Sequence, residues 1–101
     1  MTTHPHYWCR HLDSAARLLE IGSPDFDYDN FAAVAEVLLQ QLSITVVEKE
    51  TNADLHVWLV DFEGCRLLLK GEHYSSQMWL EGLDSDAEET LLFLAGLLAK
   101  R

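Results

Sequence analysis

Cys9-Arg10-His11 sets a thiol between two side chains that can carry positive charge, a neighbourhood that favours the reactive thiolate. Farther along, His56, Glu72 and His73 supply two imidazoles and a carboxylate, a set suited to acid–base work if the fold gathers it near one end of a sheet. Neither group comes with a supporting signature. The sequence holds no Gly-rich phosphate loop, no nucleophile elbow and no HExxH motif, so no catalytic residue is assigned and the chain reads away from an enzyme.

Metal chemistry is weighed in the same way. Asp25, Asp27, Asp29 and Glu36 fall at positions 1, 3, 5 and 12 of a calcium-loop pattern, but Asn30 stands where that loop needs glycine, and the same residues open a helix. After removal of Met1, Thr2-Thr3-His4 would offer an amine, two amides and an imidazole, a nitrogen set that copper(II) or nickel(II) accepts. Such termini bind metal in vitro without serving a purpose. Cys9 and Cys65 lack zinc spacing and are too few for a disulfide framework, so reduced thiols are expected, with no metal and no cofactor.

Any such groups must be positioned by the elements between them. Residues 1–16 show no clear pattern and are read as an irregular segment, with a single domain over 17–101. The run RLLEIG at 17–22, closed by Gly-Ser-Pro, reads as a first strand. A helix over 28–42 follows, with Asp27 as N-cap and Phe26 against Phe31 as a hydrophobic staple; Phe31, Val34, Leu38 and Leu42 make its apolar stripe. ITVVEKE at 44–50 is the next strand. The last helix opens on a capping box, Ser85 with Glu88, and closes on Lys100 and Arg101 at the negative end of its dipole. Its apolar residues run nearly all round, with Leu92, Phe93 and Leu97 widening the stripe of Leu91, Leu94 and Leu98. That breadth predicts a helix nearly buried or in contact with a second chain.

Residues 55–82 predict a three-stranded antiparallel meander whose register can be counted outward from its turns. Glu63-Gly64 suits a two-residue hairpin, because glycine enters positive φ without steric cost. Phe62 then faces Cys65, Val60 faces Leu67 and Trp58 faces Leu69; the loop at 73–76 sets Glu72 opposite Gln77 and Lys70 beside Trp79. One face (face A) carries Trp58, Val60, Phe62, Cys65, Leu67, Leu69, Met78 and Leu80. The other (face B) carries Leu55, Val57, Leu59, Asp61, Arg66, Leu68, Lys70, Glu72 and Trp79.

The fold expected is α+β, a single mostly antiparallel sheet in the order β-α-β-β-β-β-α, with both helices packed on one face. Face B then stays open unless residues 1–16, with Tyr7 and Trp8, fold across it or a second copy covers it. Leu55, Val57, Leu59, Arg66, Leu68, Lys70 and Trp79 are accordingly the candidate partner-binding residues, an apolar area rimmed by charge and containing residue types favoured at binding hot spots.

Composition narrows the partners. Seventeen acidic against seven basic residues give a formal charge of −10, which opposes contact with nucleic acid or anionic lipid. With 101 residues, 49% of them hydrophobic, one domain buries roughly two-thirds of its extended-chain surface without staples. No segment approaches the ~20 apolar residues that span a bilayer, and the first residues have no uninterrupted apolar stretch of the kind that opens a secretory signal, so a cytoplasmic protein is expected.

The run from Ala53 to Leu67, ADLHVWLVDFEGCRL, preceded by VVEKE and by DFDYDNF, resembles a family of short acidic bacterial proteins known only as a domain of unknown function. The resemblance covers roughly residues 17–99, rests mainly on the hairpin from Trp58 to Leu67, and does not extend to HPHYWCRH. It implies a bacterial cytoplasmic α+β protein and carries over no activity, cofactor or catalytic residue. The expectation is a non-enzymatic protein-interaction module acting through face B and an acidic surface on a protein partner or on a second copy of itself as a homodimer. The alternative is a small enzyme or metabolite-binding domain at His56, Glu72 and His73.

Overall fold

Glu63 and Gly64 both take positive φ, 51° and 91°, as a type I′ hairpin turn requires. The Asp61 carboxylate closes that turn by accepting the Gly64 N–H at 2.9 Å. The computed structural model describes residues 7–52 and 54–98. Its elements are β1 (Trp8–Asp13), β2 (Leu18–Gly22), α1 (Phe31–Gln41), β3 (Thr45–Thr51), β4 (Leu55–Phe62), β5 (Cys65–Glu72), β6 (Gln77–Gly82) and α2 (Ala87–Leu97). All six strands form one antiparallel sheet in the order β1-β2-β6-β5-β4-β3.

The meander register is the expected one, from Phe62 opposite Cys65 to Leu55 opposite Glu72, and from Lys70 opposite Trp79 to Glu72 opposite Gln77. The order β-α-β-β-β-β-α is present with one strand added in front. That strand, β1, occupies part of the segment expected to be irregular. A register shift between Cys9 and His11, around Arg10, breaks the alternation that would have marked it. The far edge strand, β3, carries a similar irregularity between Val46 and Glu48.

Face A holds the core. His56, Trp58, Val60 and Phe62 of β4 point to it, as do Leu67 and Leu69 of β5, Met78 and Leu80 of β6, and Leu19 and Ile21 of β2. Both helices lie over it. Phe31 opens α1 by packing edge-on to Trp58, with ring centroids 5.3 Å apart. Opposite His56, Gly71 leaves room for that ring, since a Cβ there would stand 2.0 Å from a Phe31 ring carbon. Ala87 of α2 sits over Gly82, and Leu91 and Leu94 are fully buried. Tyr7 also turns to the helix side, donating its hydroxyl to the Val34 carbonyl at 2.6 Å, while burial pushes its phenol pKa up.

The helix starts differ from expectation in detail. Asp27 accepts the N–H groups of Asp29 and Asn30 at 2.9 Å each, so its carboxylate caps a turn at 28–30 that precedes α1. The staple between Phe26 and Phe31 forms, with centroids 5.1 Å apart. The Ser85–Glu88 capping box does not form: the N-cap of α2 is Asp86 without a side-chain cap bond. Glu88 instead turns to Arg17, at 3.4 Å. Lys100 and Arg101 lie outside the described residues.

Candidate functional site

Face B is built by the same pleat that buries face A. Pairing across the sheet sets two rows of side chains side by side. One runs His11, Glu20, Trp79, Lys70, Val57, Glu50; the next runs Asp13, Leu18, Glu81, Leu68, Leu59, Glu48. Each row mixes apolar residues with charged ones, Glu20 and Lys70 in the first and Glu81 in the second, and ends in acid on the β3 side. The floor residues Leu18, Val57, Leu59, Leu68 and Trp79 are half-buried, and none of the described helices lies over them.

Two open depressions lie in this floor. One, of about 300 Å³, is lined by Leu18, Glu20, Gln77, Trp79 and Glu81; the other, of about 200 Å³, by Glu48, Glu50, Val57, Leu59 and Leu68. The basic residues expected to be available for a partner are already engaged. Lys70 Nζ stands 2.8 Å from Glu81 Oε1, Arg66 Nε stands 2.9 Å from Asp61 Oδ2, and the Trp79 indole N–H donates to Glu81 Oε2 at 3.3 Å. Among the described residues no ion pair engages Glu20, Glu48 or Glu50. Face B is therefore a set of apolar side chains with neutralised ion pairs among them and free carboxylates at Glu20, Glu48 and Glu50.

Leu55, Val57, Leu59, Arg66, Leu68, Lys70 and Trp79 all fall on this one face. Sequence reading missed Leu18, Glu20, Glu48, Glu50 and Glu81, which share it. The missing signal was strand order, because nothing local says that β2 runs beside β6. The first described residues do not fold across the face. Tyr7 turns to the helices and β1 extends the sheet, bringing His11 and Asp13 to the edge of face B and Trp8 to its margin, where the indole fills the space over Gly22.

The second candidate cluster comes together only in part. His56 is buried, stacked on Phe31 with centroids 4.3 Å apart and planes 10° apart, and its Nδ1 lies 3.2 Å from Thr51 Oγ1. His73 stands beside it, with centroids 5.7 Å apart, and Tyr28 packs against both rings. His56 Nε2 and His73 Nδ1 are both buried with no hydrogen-bond partner among the described residues. Burial holds the His56 pKa below its ordinary value of 6.5, and the neighbouring His73 lowers it further. Glu72 does not join them. It faces the other side of the sheet and accepts the N–H and hydroxyl of Ser75, as the period of two along β5 requires.

The remaining groups disperse. In Cys9-Arg10-His11 the thiol packs against the core while His11 shares face B with Glu20, so the imidazole lies on the other side of the sheet from the thiol. Glu36 of the calcium-like pattern sits on α1, paired with Lys49 at 2.6 Å. Among the described residues no group of three metal-ligating side chains occurs. Thr2, Thr3 and His4 lie outside the described residues.

Fold and surface together define an α+β protein with one face of its sheet closed by helices and the other open. The chain belongs to a family described as a protein of unknown function, DUF3630, whose model matches residues 8–99. That span starts earlier than the resemblance suggested and takes in Trp8 and the whole of β1. No curated protein and no solved structure matches the chain. Among the described residues no helix is long and apolar enough to cross a membrane.

Proposed function

We propose that the chain is a non-enzymatic, cytoplasmic protein-interaction module whose face B receives a basic amphipathic helix of a partner protein. The observation that carries this reading is the half-buried apolar floor bordered by the unpaired carboxylates of Glu20, Glu48 and Glu50. A contiguous apolar area with a charged rim favours association, and charge of one sign at the rim selects a partner of the other. A helix is the fitting shape because the same sheet already seats two helices on its opposite face. Trp79, central and half-buried, is the anchor; Leu55, Val57, Leu59 and Leu68 supply floor, and Arg66 and Lys70 hold the acids that neighbour them.

The acidic rim also argues against nucleic acid, whose phosphates it would repel. A metabolite site at His56, Glu72 and His73 has less support, since its carboxylate is directed to the far side of the sheet.

The test is a titration of the isotope-labelled chain with a synthetic helix carrying leucine on one face and lysine on the other, followed by amide shifts. Perturbation concentrated on β2, β4, β5 and β6, lost in Trp79→Glu and weakened by added salt, supports the reading. Shifts confined to the helices, or none from the lysine peptide, would sink it. Capture from cell lysate with wild type and Trp79→Glu would then identify the natural segment.

A further inference from the structure

Two imidazoles on the helix side of the sheet carry nitrogens that find no hydrogen-bond partner among the described residues. His56, 6% exposed, buries Nε2 in this way, and His73, in the turn after β5, buries Nδ1. A buried polar atom left unpaired is destabilising, so two of them on neighbouring rings call for an occupant that meets both. The ring centroids stand 5.7 Å apart. A metal ion bonded to two imidazoles at about 2 Å holds their centroids up to about 6.4 Å apart, so this separation is one that a single ion spans. Segments far apart in sequence build the place. His56 lies opposite Gly71, whose missing side chain admits the Phe31 ring that stacks on His56, and Tyr28 packs on both imidazoles with centroids 5.3 and 5.4 Å away. Tyr28 is half-exposed, which sets the pair within reach of an entering ion.

We propose that His56 Nε2 and His73 Nδ1 together bind one copper(I) ion. The other ring nitrogen of His56 prepares the first. Nδ1 lies 3.2 Å from Thr51 Oγ1, and when it donates its proton to that oxygen Nε2 keeps a bare lone pair, the form in which imidazole ligates a metal. Burial, with His73 beside it, holds the His56 pKa below its ordinary value, so the ring is neutral and able to ligate at neutral pH. Ligand count and charge then select the ion. Zinc takes four protein ligands, or three and a water, and no group of three His, Cys, Asp or Glu side chains gathers among the described residues, whereas copper(I) accepts two imidazoles. Both donors are neutral, no carboxylate pairs with either among the described residues, and Glu72 is directed to the other side of the sheet. The cost of desolvating an ion grows with the square of its charge, which favours a monovalent ion over a divalent one where nothing offsets that charge. The site lies on the helix side of the sheet and does not rest on the face B reading.

Titration of the isotope-labelled full chain with copper(I), kept reduced in the absence of oxygen and buffered by a chromogenic chelator, tests the site. The imidazole nitrogen resonances report His56 and His73 separately from any copper held by Cys9, Cys65 or the other histidines. His56 Nε2 and His73 Nδ1 are expected to shift together and to saturate together at one ion for the pair. His73→Gln, a change in a turn, should weaken binding at His56 by about tenfold or more with an unchanged circular dichroism spectrum. His73→Ala provides the same test should His73→Gln fail to fold. Zinc(II) at the same free concentration should leave both nitrogens unmoved. Resonances of the pair indifferent to copper(I), a His56 shift that survives the loss of His73 undiminished, or tighter binding of zinc(II) than of copper(I) at the pair would overturn the proposal.

Discussion

Leu68 and Leu69 are neighbours on β5 and identical in type, yet Leu69 is fully buried beneath the helices while Leu68 is half-buried on the open side. The two faces share their strands, their register and much of their apolar character, and differ in what covers them. Face A is a closed core in which each ring has its place: Phe31 stacks on His56, meets Trp58 edge-on, and requires Gly71 beneath it. Face B is a set of apolar side chains separated by ion pairs and bounded by carboxylates. A pleated strand can thus encode stability on one side and recognition on the other in alternate residues.

The sharpest way to break the comparison is to truncate both leucines. Leu69→Ala should cost about 2–5 kcal/mol and Leu68→Ala about 1 kcal/mol or less, read as urea midpoints. Equal losses would mean that face B is also core. Gly71→Ala probes the tightness of face A alone. Its Cβ would intrude on the Phe31 ring, which is fully buried, so a loss of about 1–3 kcal/mol is expected.

Acid should weaken the closed face through His56. The folded His56 pKa lies below its unfolded value of 6.5, so the unfolded chain takes up the proton first. The stability that neutral His56 contributes is full above pH 6.5 and falls as pH drops from there towards the folded pKa. Melting temperatures should therefore be level above neutrality and decline through pH 6, and His56→Gln should flatten that slope. An unchanged slope in the variant would place the acid sensitivity elsewhere. The smallest effect expected is from Lys70→Met, which removes a partly solvated ion pair on face B and should change stability by about 1 kcal/mol or less. A larger loss would make Lys70 a structural residue of that face.

The sequence contained the meander pair by pair, because turn residues and alternation are both local signals. Asp61, Glu63 and Gly64 specify their turn without help from the rest of the chain. What depended on distant partners was less legible. The bulge around Arg10 hid β1, and the neighbourhood of β2 and β6 decided which carboxylates border face B. The motif Ser85 to Glu88 suits a capping box, but Arg17, across the molecule, takes the Glu88 carboxylate. His56 and His73 meet as their positions suggested, whereas the parity of β5 already sent Glu72 the other way. The breadth of apolar residues on α2 had suggested near-complete burial or a second chain; within the single chain, Leu92, Phe93 and Leu97 are exposed.

The bulged edges carry a consequence for how the protein behaves when crowded. A sheet with two regular outer strands offers unpaired amides and carbonyls on which further chains can add, the route to fibrils. Here β1 is interrupted around Arg10, and β3 is interrupted around Val47 and continues through Glu48, Lys49 and Glu50. Neither border presents the straight, uncharged template that growth by strand addition needs. The six strands form a finished unit, resistant to polymerising through its rims.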